Sequence, residues 1–258
     1  MRNKKGKTRV TTIVLAVCFV LLVLLSTTIF SLYPRIDHYI LFHRKYDVYG
    51  GMTDELKDSD LFDDMISGKS FCFMGDSITY GSETKGIHWY QPLIPYIKGG
   101  ISDISFGRWT VLDLINQKGS IPVSDVYVIA IGVNDVWNTN DPESAKTTTE
   151  FVDMCDQLAN ILKEISPEAR IYFIAPWTFI DPEESYSDRG NQFRTALREW
   201  CEKDNYCYIN PDPIINSVLE KEGVKKYMSD RLHPNAPKGV GLFSYAVLME
   251  SHNQRVAQ

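Results

Sequence analysis

Ser77, His233 and Asp230 are the residues in this chain whose types and order could do covalent chemistry. Ser77 lies in Gly75-Asp76-Ser77, between Gly75 and Gly81, which suits a tight strand-to-helix turn that exposes a side chain. A serine hydroxyl is a weak nucleophile at neutral pH and needs an adjacent base. His233 is the candidate base, one of five histidines in the chain. Asp230 precedes it by three residues, near enough on one loop or turn for its carboxylate to fix the imidazole tautomer and stabilise the imidazolium. Attack on an ester creates a tetrahedral oxyanion, and each donor aimed at that oxygen is worth about 3 to 4 kcal/mol. Asn134, in Gly132-Val133-Asn134-Asp135, offers a side-chain amide, Gly107 a backbone N–H without an obstructing side chain, and Ser77 its own N–H. Each stretch alone also reads as an ordinary turn or helix cap. The ordered set, most of it at the ends of expected strands, points to acyl chemistry.

The elements that must position these residues alternate. Strand-like runs are expected at Ser70–Met74, Ile101–Ser105, Val126–Ile131, Ile171–Ala175 and Tyr206–Ile209. Helical spacing is expected at His88–Ile97, Thr110–Asn116, Ser144–Ile165, Gly190–Lys203, Ile214–Glu222 and Ala236–His252. Such alternation predicts a mostly parallel sheet covered on both faces, with the site beyond the carboxyl ends of its strands.

Length and charge bound the rest. The chain has 258 residues and a formal net charge of −6. Arg2, Lys4, Lys5, Lys7 and Arg9 crowd a basic tail over 1–9, so the remainder carries −11. An acidic body argues against nucleic acid as partner. Positions 10–32 hold no charged residue. As a helix they span about 34 Å, enough to cross a bilayer. The basic flank predicts a cytoplasmic N-terminus, with the remainder outside. Positions 33–65 read as a stalk or linker whose Asp58, Asp60, Asp63 and Asp64 make a solvated acidic face, and 66–258 as the catalytic domain. Cys201 and Cys207 could pair in an oxidising compartment, or remain two separate buried thiols. No cysteine–histidine spacing suggests a metal.

On Gly75-Asp76-Ser77, Gly107, Gly132-x-Asn134-Asp135 and Asp230-x-x-His233, the chain resembles the SGNH hydrolase superfamily, the GDSL-type esterases and lipases, over about residues 66 to 252. The resemblance implies a flavodoxin-like three-layer α/β/α sandwich. It implies Ser77 as nucleophile, His233 as base, Asp230 as its partner, and the Ser77 N–H, the Gly107 N–H and Asn134 Nδ2 as oxyanion hole. No cofactor is implied. The chain departs from the pattern at Ile78, where the family name implies leucine, and at Arg108 and Trp109, bulky residues after Gly107.

Trp109, Trp137 and Trp177 follow motif or strand ends, where they could stack on a sugar, cover an acyl pocket or simply pack; Tyr186, Asp188 and Arg189 are weaker candidates. The expected activity is that of a membrane-anchored serine esterase acting on acyl esters, above all acetyl, of a cell-surface glycan. The alternatives are an O-acetyltransferase that uses the same residues beside a multispanning acyl-donor protein, a lipase, and a non-catalytic surface-assembly protein.

Overall fold

Five short strands, all but the second mostly apolar, form the frame of the computed structural model: β1 (Phe71–Gly75), β2 (Ile101–Ser105), β3 (Val126–Ala130), β4 (Arg170–Ile174) and β5 (Cys207–Ile209). The structure describes residues 46–180 and 183–257, with a few positions between 17 and 26. The basic tail and positions 27–45 lie outside the described residues, as does most of the expected membrane segment. Among the described residues no helix is long and apolar enough to cross a membrane.

The strands pair in the order β2-β1-β3-β4-β5, all parallel. β1 and β3 are buried on both faces, which is why they read as unbroken apolar runs. Alternate side chains enter two separate cores. Phe71, Phe73, Val126, Val128, Tyr172 and Ile174 point to one. Cys72, Met74, Tyr127, Ile129, Ile171 and Phe173 point to the other. The period-2 alternation of strand side chains thus makes three layers from one sheet.

Helices α1 (Asp54–Lys57) and α2 (Asp60–Ile66) precede β1. The four-residue α3 (Ser77–Tyr80) follows it, α4 (Val111–Asn116) follows β2, and α5 (Val133–Trp137) and α6 (Thr148–Ile165) follow β3. α7 (Glu184–Asp204) follows β4, and α8 (Asp212–Glu222) and α9 (Lys238–Ala257) close the chain. α4, α6 and α7 cover one face; α2, α8 and α9 contribute to the other. The apolar stripe of α6, Phe151, Cys155, Leu158 and Leu162, is buried as its helical spacing requires. So is the stripe Phe193, Leu197 and Trp200 of α7.

Three expectations are corrected. The stalk does not reach residue 65: Tyr46, Val48, Leu56, Leu61, Phe62 and Met65 are buried, and α1 and α2 pack on α9. The acidic patch is only in part a solvated face: Asp58 and Asp63 are exposed, Asp64 is buried, and all four are ion-paired. Arg170 pairs with Asp60 (2.6 Å) and Asp64, Lys69 with Asp64 (2.5 Å), and Arg255 with Asp58, Asp60 and Asp63 (2.6 Å). These partners lie up to two hundred residues away in sequence, where local pattern carries no signal. The helix expected over His88–Ile97 is a 3₁₀ segment at Gln91–Tyr96, because Pro92 and Pro95 remove N–H donors that an α-helix requires. Cys201 and Cys207 are free thiols, and Cys207 Sγ accepts from Arg170 Nε at 3.4 Å.

Candidate active site

The strand order reverses direction at β1, whose neighbours are β2 on one side and β3 on the other. In such sheets a crevice opens at the carboxyl ends beside that reversal. The register sets three loops at one level: Gly75 pairs with Ser105 and with Ala130. Two residues beyond Gly75 is Ser77, two beyond Ser105 is Gly107, and four beyond Ala130 is Asn134.

Ser77 begins α3, and Asp76 is its N-cap, accepting from the Ile78 N–H at 3.0 Å. The cap reading of this turn therefore holds, and Ser77 itself is only 9 % exposed. Gly75 is required by space: a Cβ there would meet Ala130 O and Thr79 Oγ1 at 2.4 Å. Within α3, Thr79 is pinned by Trp89 Nε1, which donates to its hydroxyl at 3.2 Å, and by His88 Nδ1, which donates to its carbonyl at 2.7 Å.

His233 arrives from the loop between α8 and α9. An antiparallel bridge between Met228 and Pro234 and the Ser229 N–H to His233 O bond (2.9 Å) close that loop. Its Nε2 lies 2.8 Å from Ser77 Oγ, and its Nδ1 lies 2.8 Å from Asp230 Oδ2. The other oxygen, Asp230 Oδ1, accepts the N–H groups of Leu232 and His233, each at 2.7 Å. Partial burial works against the Asp230 charge, but those two N–H donors and the imidazole outweigh it and hold the carboxyl below the usual range. A charged Asp230 puts the imidazole proton on Nδ1 and leaves Nε2 free to take the proton of Ser77. Serine, histidine and aspartate are thus wired in series, the arrangement that converts a hydroxyl into a nucleophile.

Asn134 lies on α5, one residue after Val133. Its Nδ2 donates one hydrogen to Trp109 O at 2.9 Å, and the amide has a second to give. The next residue, Asp135, is fully buried and holds this region together: Oδ2 accepts from Val111 N (3.2 Å) at the start of α4, and Oδ1 from Ala145 N (3.0 Å). Burial pushes its carboxyl up to about 7 against those two donors. Asp76 is likewise raised to about 7 by burial, opposed by the Ile78 N–H and reinforced by Asp135. Its Oδ2 has no partner among the described residues. Gly132, ahead of α5, adopts φ +112°, a conformation few residues other than glycine tolerate.

Gly107 is the second residue of a turn from Phe106 to Trp109, closed by a long Trp109 N to Phe106 O contact of 3.5 Å. The third residue, Arg108, has φ +69°. A non-glycine residue there costs about 1 to 2 kcal/mol. Phe106 N donates to Gly75 O at 3.2 Å, which carries the ladder one step past the strands and sets Gly107 beside Ser82.

The three tryptophans fare differently. Trp109 is half-buried in the Gly107 turn, with Phe106 5.8 Å away. Trp137 ends α5 and packs on Phe179 (3.6 Å) and Tyr186 (4.3 Å). Trp177 is a correction: only 3 % exposed, it packs in the core against Trp89 and Phe243 and offers substrate no surface. Arg189, a weak candidate in sequence, is a girder. It donates to the carbonyls of Val136 (3.0 Å), Asp135 (3.2 Å), Ala145 (2.8 Å) and Lys146 (2.9 Å), and lies over the Phe193 ring. The acceptors lie more than forty residues away, so spacing could not reveal the role. Among the described residues no cluster of three histidine, cysteine or acidic side chains is placed to hold a metal.

Known proteins share this frame. A GDSL-like lipase from Parabacteroides merdae ATCC 43184, described as putative, superposes with a TM-score of 0.62 at 21 % identity, covering 72 % of this chain and 96 % of that one. Axe2, an acetylxylan esterase from Geobacillus stearothermophilus, gives 0.58 at 21 % identity over 73 % and 96 %. LAE5, an alpha/beta hydrolase enzyme from the metagenome of Lake Arreo, gives 0.58 at 19 % over 71 % and 95 %. The comparison with curated proteins returns no match. Residues 73–237, which run from β1 through His233, match the GDSL-like Lipase/Acylhydrolase family, and the chain belongs to that family of esterase-type hydrolases.

Proposed function

We propose that the chain is a serine esterase that removes acetyl groups from a glycan outside the cytoplasmic membrane. The observation that carries this reading is the continuous Ser77–His233–Asp230 relay, with both links at 2.8 Å. Ser77 Oγ attacks the ester carbonyl while His233 Nε2 takes its proton. The oxyanion is met by the Ser77 and Gly107 N–H groups and the second hydrogen of Asn134 Nδ2. His233 then returns the proton to the leaving sugar oxygen, giving an acetyl-Ser77 enzyme. Water, deprotonated by His233, releases acetate and restores the serine. Asp230 holds the imidazole throughout.

The glycan ester is supported by the fold shared with an acetylxylan esterase. The location is supported by the basic tail and the uncharged 23-residue run after it. In this reading that run anchors the protein in the membrane, N-terminus inside.

The test is hydrolysis of p-nitrophenyl acetate and longer esters by the full-length protein beside Ser77→Ala and His233→Ala. We expect activity to fall by about 10⁴-fold or more in both variants and, in the wild type, to decline with acyl length. A folded wild type that labels at Ser77 with a sulfonyl fluoride but hydrolyses none of these esters would replace hydrolysis by transfer to a sugar acceptor. Absence of both labelling and turnover would overturn the enzymatic reading.

A further inference from the structure

We propose that Tyr80, Phe106 and Trp109 form an aromatic shelf that receives a sugar ring of the ester-bearing glycan; this rests on the esterase reading and adds what the site selects. Among the described residues from Tyr46 onward, six large apolar side chains are exposed: Ile66, Tyr80, Ile101, Phe106, Val123 and Val256. They divide by place. Ile66 precedes β1, Ile101 opens β2 and Val123 precedes β3, so all three lie at the amino ends of strands, away from Ser77. Val256 ends α9. Of these six, only Tyr80 (42 % exposed) and Phe106 (53 %) lie beyond the carboxyl ends, and both are aromatic.

These two belong together and to the site. Their ring centroids are 5.2 Å apart, and Phe106 lies 5.8 Å from the half-buried Trp109. Tyr80 is the last residue of the helix that Ser77 begins. Gly107 lies between Phe106 and Trp109, and the Trp109 carbonyl holds Asn134 Nδ2. The rings are therefore built into the same two segments that carry the nucleophile and the oxyanion donors. The strained Arg108 at φ +69° is part of the turn that brings Phe106 and Trp109 together, and backbone strain of this kind persists where a site needs a particular shape.

The chemistry of the shelf selects among ester substrates. A pyranose presents an apolar C–H face and a rim of hydroxyls. Exposed aromatic rings match the face, and the exposed Glu83 and Arg108, each within three residues of a shelf ring in sequence, can meet the rim. A long acyl chain needs an enclosing aliphatic wall. The exposed aliphatic side chains lie at the other end of the sheet or at the end of α9.

Two measurements on full-length protein test the shelf. The first compares kcat/KM on acetylated xylo-oligosaccharides with that on p-nitrophenyl acetate. Tyr80→Ala and Phe106→Ala should lower the oligosaccharide value about tenfold more than the small-ester value, through KM, and Phe106→Tyr should restore it. Equal losses on both substrates would mark a structural role and overturn the proposal. So would a selective loss on long-chain p-nitrophenyl esters, which would assign the rings to the acyl group. The second is calorimetric titration of Ser77→Ala protein with unacetylated xylo-, cello- and chito-oligosaccharides. Affinity that falls about tenfold on adding Phe106→Ala supports the shelf, and absence of binding to all three overturns it. If Ser77→Ala leaves ester turnover intact, the esterase reading fails by itself, and Phe106-dependent binding would still support the shelf.

Discussion

Replacing Asp230 by asparagine should cost about 10⁴-fold in kcat while leaving the fold intact, and the reason lies in which oxygen does what. Oδ1 accepts two backbone N–H groups, at 2.7 Å each. An asparagine NH₂ cannot face two donors, so its carbonyl oxygen must take that position. The NH₂ is then forced to the Oδ2 position, 2.8 Å from His233 Nδ1. Nδ1 must now accept, and the imidazole proton moves to Nε2. Nε2 then points a proton at Ser77 Oγ, 2.8 Å away, and can no longer take one. The same exchange in the serine-protease triad costs about 10⁴-fold, or roughly 5 kcal/mol of transition-state stabilisation. Stability should barely change, since the two backbone bonds survive. The assay is kcat on p-nitrophenyl acetate at saturation, with the thermal midpoint and imidazole ¹⁵N shifts measured on the same protein. An Asp230→Asn enzyme within tenfold of wild type would refute the argument, because Asp230 would then not set the tautomer. So would a large loss of activity with the proton still on Nδ1.

Other perturbations probe the supports. In Gly132→Ala the new methyl would stand 2.8 Å from Phe151 and 2.9 Å from Pro176 at φ +112°, so we expect a loss of about 3 kcal/mol in urea unfolding together with lower kcat as α5 shifts. Arg189→Lys leaves three donors on a point charge where four carbonyls are now held, and we expect kcat to fall about tenfold or more with little change in KM, as Asn134 loses its fixed position. Asp76 bears on pH. Its folded carboxyl is raised to about 7 from 3.8, so between those values the native state holds a proton that the unfolded chain has lost. Stability contributed by this group therefore falls as pH rises from about 4 to 7, by at most about 4 kcal/mol, and is level above that. Asp76→Asn should flatten that slope relative to wild type in denaturation curves across the range, and an unchanged slope would show that the buried carboxyl does not titrate there.

Much of the candidate triad and of the parallel frame was legible because their signals are local. Val126–Ala130 is a strand buried on both faces and so cannot avoid an unbroken apolar run. Asp230 reaches His233 across three residues, and Asp76 caps the turn that carries Ser77, so each pairing was written in short spacing. The approach of His233 to Ser77 spans 156 residues and could be inferred only from their chemical need of one another. Where no such need exists, the sequence was silent. Asp58, Asp60, Asp63 and Asp64 read as a solvated face, and their spacing gives no sign of the ion pairs with Arg170, Lys69 and Arg255 or of the burial of Asp64. Trp137 and Trp177 follow a motif and a strand end, yet one packs on Phe179 and the other is buried against Phe243; packing neighbours, not position in the chain, separate them. Composition and short-range spacing determined which residues could react and what frame would hold them. Tertiary structure alone decided which charges are neutralised, which aromatics remain exposed, and that Arg189 and Asp135 brace the backbone beside Asn134. Those outcomes depend on groups far apart in the chain, brought together only by packing on a common sheet.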